Sequence, residues 1–394
     1  MGNRYSRPVL AAFALTTILG VASCADSEPA ASAGPSAGAL ITHRPSTAAA
    51  VLPSASRTEL VTYVSEGADG QPILVSGTVA IPRGEAPEGG WPVVSWAHGT
   101  TGVGDACAPS ADTVDGPAHS YVARTTALLD RWVSEGYAVA QTDYEGLGTP
   151  GGHPYMNGES ARNTVVDIVR AARELDPSIG TRWIAMGHSQ GGHAALFTAD
   201  GGQERAPELE LQAAVSFAPG SRTSDTAAYF ASGDPNMGQA LSFLPVLLLG
   251  AEAADPSISA EAMLTESALP LIRAARSGCM DDVRAAAATV PVDQVFTPEA
   301  DMGRIGEYFA TQELEPLTSA VPTLVVQGTA DVLVSRPITD RIVDALCGNG
   351  AELTYRVYDG ADHRGVLETS FDDVQAFVDD VRAGGTPDTT CAGD

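Results

Sequence analysis

Six consecutive residues, Gly187-His188-Ser189-Gln190-Gly191-Gly192, carry the sharpest chemical signal in the chain. They follow a strand-like apolar run at 183–186 and lead into a small-residue stretch, 191–197, that can continue as a helix. In this setting Gly-x-Ser-x-Gly is a nucleophile elbow, a sharp strand-to-helix turn that lifts the serine hydroxyl above the sheet. Side chains two residues either side of Ser189 would clash in so tight a turn, which accounts for the glycines. A helix starting at Ser189 also points its first amides and positive dipole end at negative charge developing on a reacting oxygen.

A serine hydroxyl is a poor nucleophile until a base takes its proton. On this kind of turn the chain order is serine, acid, histidine. Of seven histidines only His193 and His363 follow Ser189. His193 falls one turn into the nucleophile's own helix, a place for a structural ring. His363 ends the segment Asp359-Gly360-Ala361-Asp362-His363, after the last strand-like run. Loops at the carboxyl ends of strands are where the sites of open α/β sheets gather, so His363 is the expected base. The acid should follow the preceding strand, and 323–327 runs into Gly328-Thr329-Ala330-Asp331. Asp331 would hold the imidazole tautomer and stabilise the imidazolium. Asp340, Asp344, Asp359 and Asp362 compete with it. The first two lie on a helical stretch from 336 to 346, and Asp362 adjoins His363, an awkward geometry for accepting from its ring.

A tetrahedral oxyanion needs two amide donors. One is the backbone of Gln190, after the nucleophile. The other should come from the loop after an early strand, and 93–97 leads into His98-Gly99-Thr100-Thr101-Gly102. The Thr100 amide is the expected second donor, against the plainer reading of a structural turn. A glycine- and proline-rich segment, 143–155, follows another strand end; Tyr144 or Glu145 could touch substrate there, but shaping the rim is the simpler role. No phosphate loop, dinucleotide fingerprint or metal-ligand cluster occurs, and the chemistry calls for no cofactor.

These residues need a scaffold that brings strand ends together. Strand-like runs at 73–81, 92–97, 137–142, 183–186, 213–218, 323–327 and 353–358 alternate with helical patterns. Tyr121, Val122, Thr125, Leu128, Leu129, Trp132 and Val133 share one face; so do Val165, Val166, Ile168, Val169, Ala172 and Leu175, and again Phe371, Val374, Phe377, Val378 and Val381. The alternation predicts an α/β fold with a mostly parallel sheet flanked by helices. Residues 219–320 interrupt it with roughly a hundred residues where connections usually take a handful, so an inserted helical cap is expected at about 220–320. Within it, the apolar stretch 241–249 is either a wall of an acyl-binding groove or lid, or the insert's own core.

Composition narrows the field. The 394 residues are 44% hydrophobic and 18% charged, enough for a core and unlike a disordered chain. Acidic residues outnumber basic ones 49 to 22, for a net charge of −27, the reverse of a nucleic-acid binder. Every basic residue is arginine, which removes lysine Schiff bases, pyridoxal-phosphate anchors and P-loop lysines. At the N-terminus Arg4 and Arg7 precede an apolar run, 9–21, too short to span a bilayer permanently. Residues 1–23 read as an export signal. Val21-Ala22-Ser23-Cys24 looks like a bacterial lipobox, making Cys24 a lipidation site on the outer face of the cell membrane; an ordinary cleavage site with free secretion is the alternative. Residues 24–50 then read as a flexible tether and 51–394 as the catalytic domain. Cys107, Cys279, Cys347 and Cys391 remain, an even number for an oxidising compartment, with three pairings open.

With these residues assembled, the chain resembles the secretory lipase family of α/β-hydrolases, which includes the fungal lipase A type enzymes. The resemblance rests on His98-Gly99-Thr100-Thr101-Gly102 with the following Cys107-Ala108-Pro109-Ser110, on 143–154, on the elbow at Ser189, and on Gly328-Thr329-Ala330-Asp331 before His363. It implies hydrolysis of acyl esters including triglycerides, a helical cap, and the pairings Cys107–Cys279 and Cys347–Cys391. The expected function is a serine carboxylic-ester hydrolase, lipase or esterase, acting on a small-molecule ester or lipid. A serine peptidase on the same fold and a non-catalytic surface-binding lipoprotein are the alternatives. Oligomeric state is not legible in the sequence.

Overall fold

The apolar runs of the sequence assemble into one mixed, mostly parallel sheet. In the computed structural model the described residues are 1–3, 34–47, 49–221, 224, 225, 229, 230, 232, 234 and 240–391. Residues 4–23 of the expected export signal, and Cys24, lie outside them. The strands are β1 (Leu40–Pro45), β2 (Arg57–Glu66), β3 (Pro72–Ile81), β4 (Trp91–Ala97), β5 (Ala138–Thr142), β6 (Ile179–His188), β7 (Glu210–Phe217), β8 (Thr323–Gly328) and β9 (Leu353–Tyr358). Their order across the sheet is β1-β2-β3-β5-β4-β6-β7-β8-β9. The pairs from β1 to β5 through β3 are antiparallel, and every pair from β5 to β9 is parallel.

Burial on both faces explains why the central strands read as unbroken apolar runs. On one face, α1 (His119–Ser134) and the C-terminal helix at Phe371–Arg382 press Leu128, Trp132, Phe371 and Phe377 against Val94, Trp96, Ile184 and Met186. On the other, α2 (Gly158–Leu175) and α3 (Gln190–Arg205) cover Val93, Ala140, Trp183 and Ala185 with Val165, Ile168, Val169 and Ala194. The seven residues assigned to one face of α1 are the ones its helix buries.

The insert is helical among its described residues. It contains α4 (Leu244–Ala254), α5 (Leu269–Ser277), α6 (Met280–Ala287) and α7 (Met302–Ala310) around a core of its own. Leu241, Leu244, Leu247, Leu248 and Leu249 are buried in that core, so the apolar stretch 241–249 mainly holds the cap together. After β8 comes α8 (Arg336–Gly348), and after β9 the short α9 (Val366–Thr369) and then α10 (Phe371–Arg382).

The N-terminal boundary needs correction. Residues 24–50 read as a tether, but Leu40–Pro45 pair antiparallel with β2 as the sheet's edge strand, and Ala50 is buried. An edge strand with five exposed residues of six carries no apolar period, so composition alone hides it. The sequence reading also lacked β2, whose threonines, serine and glutamates break up its apolar residues. Among the described residues no helix is long and apolar enough to cross a membrane.

Two disulfides, Cys107–Cys279 and Cys347–Cys391, match the pairing that the family resemblance implied. The first ties the segment after β4 to the start of α6, where Met280 N–H donates to the Thr101 carbonyl at 3.1 Å. It closes 172 residues against 44 for the second. Chain entropy therefore gives it the larger effect, about 1 kcal/mol beyond the second. The Cys107→Ala/Cys279→Ala protein should lose more unfolding free energy in urea than Cys347→Ala/Cys391→Ala, each loss being about 2–5 kcal/mol.

Candidate active site

Five loops at the carboxyl ends of parallel strands meet: after β4 (98–102), β5 (143–155), β6 (Ser189), β8 (Asp331) and β9 (His363). Ser189 takes φ 59° and ψ −115°, a left-handed-side conformation costly for any residue with a Cβ. Its amide donates to the Phe217 carbonyl at 2.9 Å, and its carbonyl accepts from His193 at 3.1 Å and Gly220 at 2.9 Å. Close packing enforces the turn. A Cβ on Gly187 would lie 2.0 Å from the Gly191 carbonyl oxygen, and one on Gly191 would lie 1.8 Å from that of Ala97. The helix begins at Gln190, with Ser189 in the N-cap position.

Asp331 and His363 are joined. His363 Nδ1 lies 2.7 Å from Asp331 Oδ2. An ionised carboxylate only accepts, so Nδ1 carries the proton and Nε2 is left as the basic nitrogen. Asp331 also accepts from the amides of Leu333 and Val334, both at 2.9 Å, and from Gln327 Nε2 at 3.2 Å. Burial pushes its carboxyl pKa up, but the His363 hydrogen bond and charge and the two amides outweigh that and hold it below the usual range. The competing carboxylates serve elsewhere. Asp340 accepts from Tyr355, Asp359 from Thr329, Asp362 from the amides of Arg364 and Gly365, and Asp344 is exposed. His193 bonds the Gln312 carbonyl at 2.8 Å with its ring against Phe197.

Ser189 and His363 line one cavity of about 340 Å³, walled by Tyr155, Met156, Phe230, Leu247, Val334 and Ile338. That size is at the lower end of small-molecule sites, which span about 300–1,000 Å³. Gln190 and Ser221 also line it; Gln190 Oε1 and Ser221 Oγ are buried without a hydrogen-bond partner among the described residues. A narrow cleft shares Ser189, His363, Phe243 and Leu333 and adds Thr100, Tyr121, His188, Arg284 and Arg364. Of the two residues expected to supply oxyanion amides, Thr100 lines the cleft and Gln190 the cavity, each together with Ser189.

Several positioning residues were not foreseen. His188 Nε2–H donates to the His363 carbonyl at 2.7 Å, and the two rings lie 4.6 Å apart. Burial, then the His363 charge, lowers the His188 pKa to about 3, so its ring is neutral and Nδ1 accepts from the Tyr121 hydroxyl at 3.2 Å. The Tyr121 oxygen accepts from Gly99 N–H at 2.5 Å. One chain of contacts therefore links the Thr100 loop, the elbow and His363. His153 does the same for Gln190: its Nδ1–H donates to the Glu145 carbonyl at 2.8 Å, so its Nε2 accepts from Gln190 Nε2 at 2.8 Å. His188 occupies a variable position of the elbow motif and Tyr121 was assigned only to a helix face, so spacing offered no sign of either role.

The segment 143–155 is structural. Asp143 is fully buried and accepts from Ser76 Oγ, Ser110 N–H and Ser110 Oγ. Tyr144, at φ 72°, donates its hydroxyl to the His98 carbonyl at 2.8 Å. Glu145 accepts from Ala68 N–H and Ser160 Oγ, and Tyr155 meets the Thr100 hydroxyl at 2.7 Å. Among the described residues no cluster of three or more histidine, cysteine or acidic side chains is arranged to hold a metal.

A mostly parallel nine-stranded sheet flanked by helices, with Ser189 on a strained strand-to-helix turn, is the α/β-hydrolase fold. The secretory lipase profile matches residues 119–380, and the chain belongs to that family. It is 26% identical over 318 residues to a protein of Mycobacterium tuberculosis named a probable inactive lipase, covering 73% of this chain and 65% of that relative's length. Candida antarctica lipase A in its closed state shares the fold with a TM-score of 0.76 and 19% identity, over 90% of this chain and 84% of that one. A rice cell wall degrading esterase from Xanthomonas oryzae gives 0.68 and 20%, over 90% of this chain and all of its own.

Burial lowers four histidines well below their usual pKa of 6.5: His98 and His193 to about 4, His153 and His188 to about 3. For a depressed histidine the unfolded chain binds the proton first, so its contribution is complete above about pH 6.5 and is lost as pH falls toward 4–3. The depressed Asp331 carboxyl acts in the same direction at lower pH, whereas Asp143 and Glu145, raised by burial, oppose it. Unfolding followed by circular dichroism should show a markedly lower Tm at pH 5 than at pH 7.

Proposed function

We propose that this chain is a serine carboxylic-ester hydrolase, a lipase or esterase working through an acyl-enzyme on Ser189. The observation that carries the reading is the 2.7 Å His363–Asp331 hydrogen bond beside a serine at φ 59° that lines the same cavity as His363. His363 Nε2 takes the Ser189 proton as Oγ bonds the carbonyl carbon. The ester C–O bond then breaks, and the proton passes to the leaving alcohol. Water, activated by the same nitrogen, releases the acid and restores Ser189. The Thr100 and Gln190 amides hold the oxyanion, each contributing about 3–4 kcal/mol in comparable sites. The apolar cavity receives the acyl group, and the leaving alcohol lies at the mouth of the cleft by Thr100 and His363. Lipidation at Cys24 after export would keep the enzyme at the outer membrane face.

A non-catalytic reading draws support from one fact, the name of the Mycobacterium tuberculosis relative as a probable inactive lipase. Against it stand the Asp331–His363 pair and Ser189 on the lining of the same cavity, an arrangement that a binding module does not require.

A panel separates these readings: p-nitrophenyl esters of graded length, a triglyceride emulsion and a peptide anilide, each with wild type and Ser189→Ala. Ester turnover should fall by about 10⁶-fold in Ser189→Ala and about 10⁴-fold in Asp331→Asn. A fluorophosphonate should label wild type only. Unlabelled folded wild type without ester turnover supports the binding protein, and preference for the anilide supports a peptidase.

A further inference from the structure

The leaving-group cleft is cationic in a protein of net charge −27. Arg364 follows the base in sequence, and Arg284 projects from α6 of the cap; both line the cleft with Ser189, Thr100 and His363. Arg284 Nη1 meets Asp281 at 2.6 Å, a pair with both partners substantially exposed. Arg364 is half-buried, lies over the Tyr121 ring at 5.5 Å, and has no carboxylate within ion-pair distance among the described residues. It also borders a second hollow with Arg124, Arg131 and Glu368. Burial, then the charge of Arg284, lowers its guanidinium pKa, with Tyr121 and Asp281 acting the other way.

Two arginines line this cleft and one carboxylate, Asp281, pairs with Arg284, which leaves Arg364 poised for an anion supplied from outside the chain. Guanidinium is the group suited to carboxylate and phosphoryl oxygens, through planar, charge-assisted hydrogen bonds. The cleft encloses only about 20 Å³, so an anionic oxygen of the ligand enters it while the rest of the alcohol portion lies over its mouth. Asp281 balances part of the Arg284 charge, but charges beyond about 8 Å are largely screened at physiological salt, so the distant acidic surface does not cancel Arg364.

We infer that Arg364 and Arg284 form an anion subsite beside Ser189, and that the preferred substrates are esters whose alcohol portion carries a carboxylate or phosphoryl group. The inference rests on the hydrolase reading above and specifies its substrate class. A purely structural role, with Arg364 bracing Tyr121, would produce no charge selectivity.

The test uses phenolic butyrate esters of 4-hydroxybenzyl alcohol, 4-hydroxyphenylacetate and 4-hydroxybenzylphosphonate, which keep the acyl group constant and vary the charge on the leaving phenol. Wild type should show kcat/KM about 10-fold or more higher for an anionic ester than for the neutral one at low salt, with the advantage shrinking as salt rises. The arm that gains identifies the source, carboxylate or phosphoryl. In Arg364→Gln and Arg284→Gln the anionic-to-neutral ratio should fall about 10-fold, about 1.4 kcal/mol. A second readout needs no variant: 4-hydroxyphenylacetate or 4-hydroxybenzylphosphonate should inhibit wild-type hydrolysis of the neutral ester, and 4-hydroxybenzyl alcohol should not. Neutral turnover with no anionic preference or inhibition overturns the subsite alone; no turnover of any ester overturns the hydrolase reading.

Discussion

The turn at Ser189 depends on atoms that are absent. Its φ of 59° holds because Gly187 and Gly191 let the turn's backbone close on itself and on the Ala97 carbonyl, leaving no room for a Cβ at either place. Such strain persists only where surrounding structure over-determines it. Here β6 is paired on both sides, with β4 and β7, and the Ser189 amide is tied to Phe217 at the end of β7. A rigid parallel sheet thus forces one side chain into a position that local propensity would refuse.

The buried rings around that turn are neutral. Those of His98, His153, His188 and His193 have pKa values lowered below the physiological range, so they act as neutral connectors. The Asp331 carboxylate, by contrast, is stabilised by two amides and by the His363 ring. It gives the His363 ring a defined tautomer, and the poorly screened interior strengthens that pairing. The arginines border the same space from the cap and from the loop after His363.

Segments that were separate family signatures in the sequence form one structural unit. Asp143 binds the backbone and side chain of Ser110, while Tyr144 holds the His98 carbonyl. Cys107 joins the same region to the cap through Cys279. Residues 98–102, 107–110 and 143–155 therefore act together to fix the wall beside Ser189, and they do so by internal hydrogen bonds.

The amino-acid sequence by itself determined the parallel sheet, the helical insert and the elbow, and it singled out His363 and Asp331, which the fold brings within 2.7 Å. Those features rest on local periodicity, on turn chemistry, and on the order of residues along the chain, all of which are short-range or linear information. It did not reveal β1 and β2, because an exposed edge strand and a polar-interrupted one lack the apolar signal that burial imposes. The roles of His188, Tyr121, His153 and Gln327 came only with the tertiary structure. Their partners lie from 4 to 175 residues away, and no local pattern specifies them. Hydrogen bonds between distant loops, and arginines gathered from a cap helix and a strand-end loop, exist only once the sheet has brought those loops to one edge.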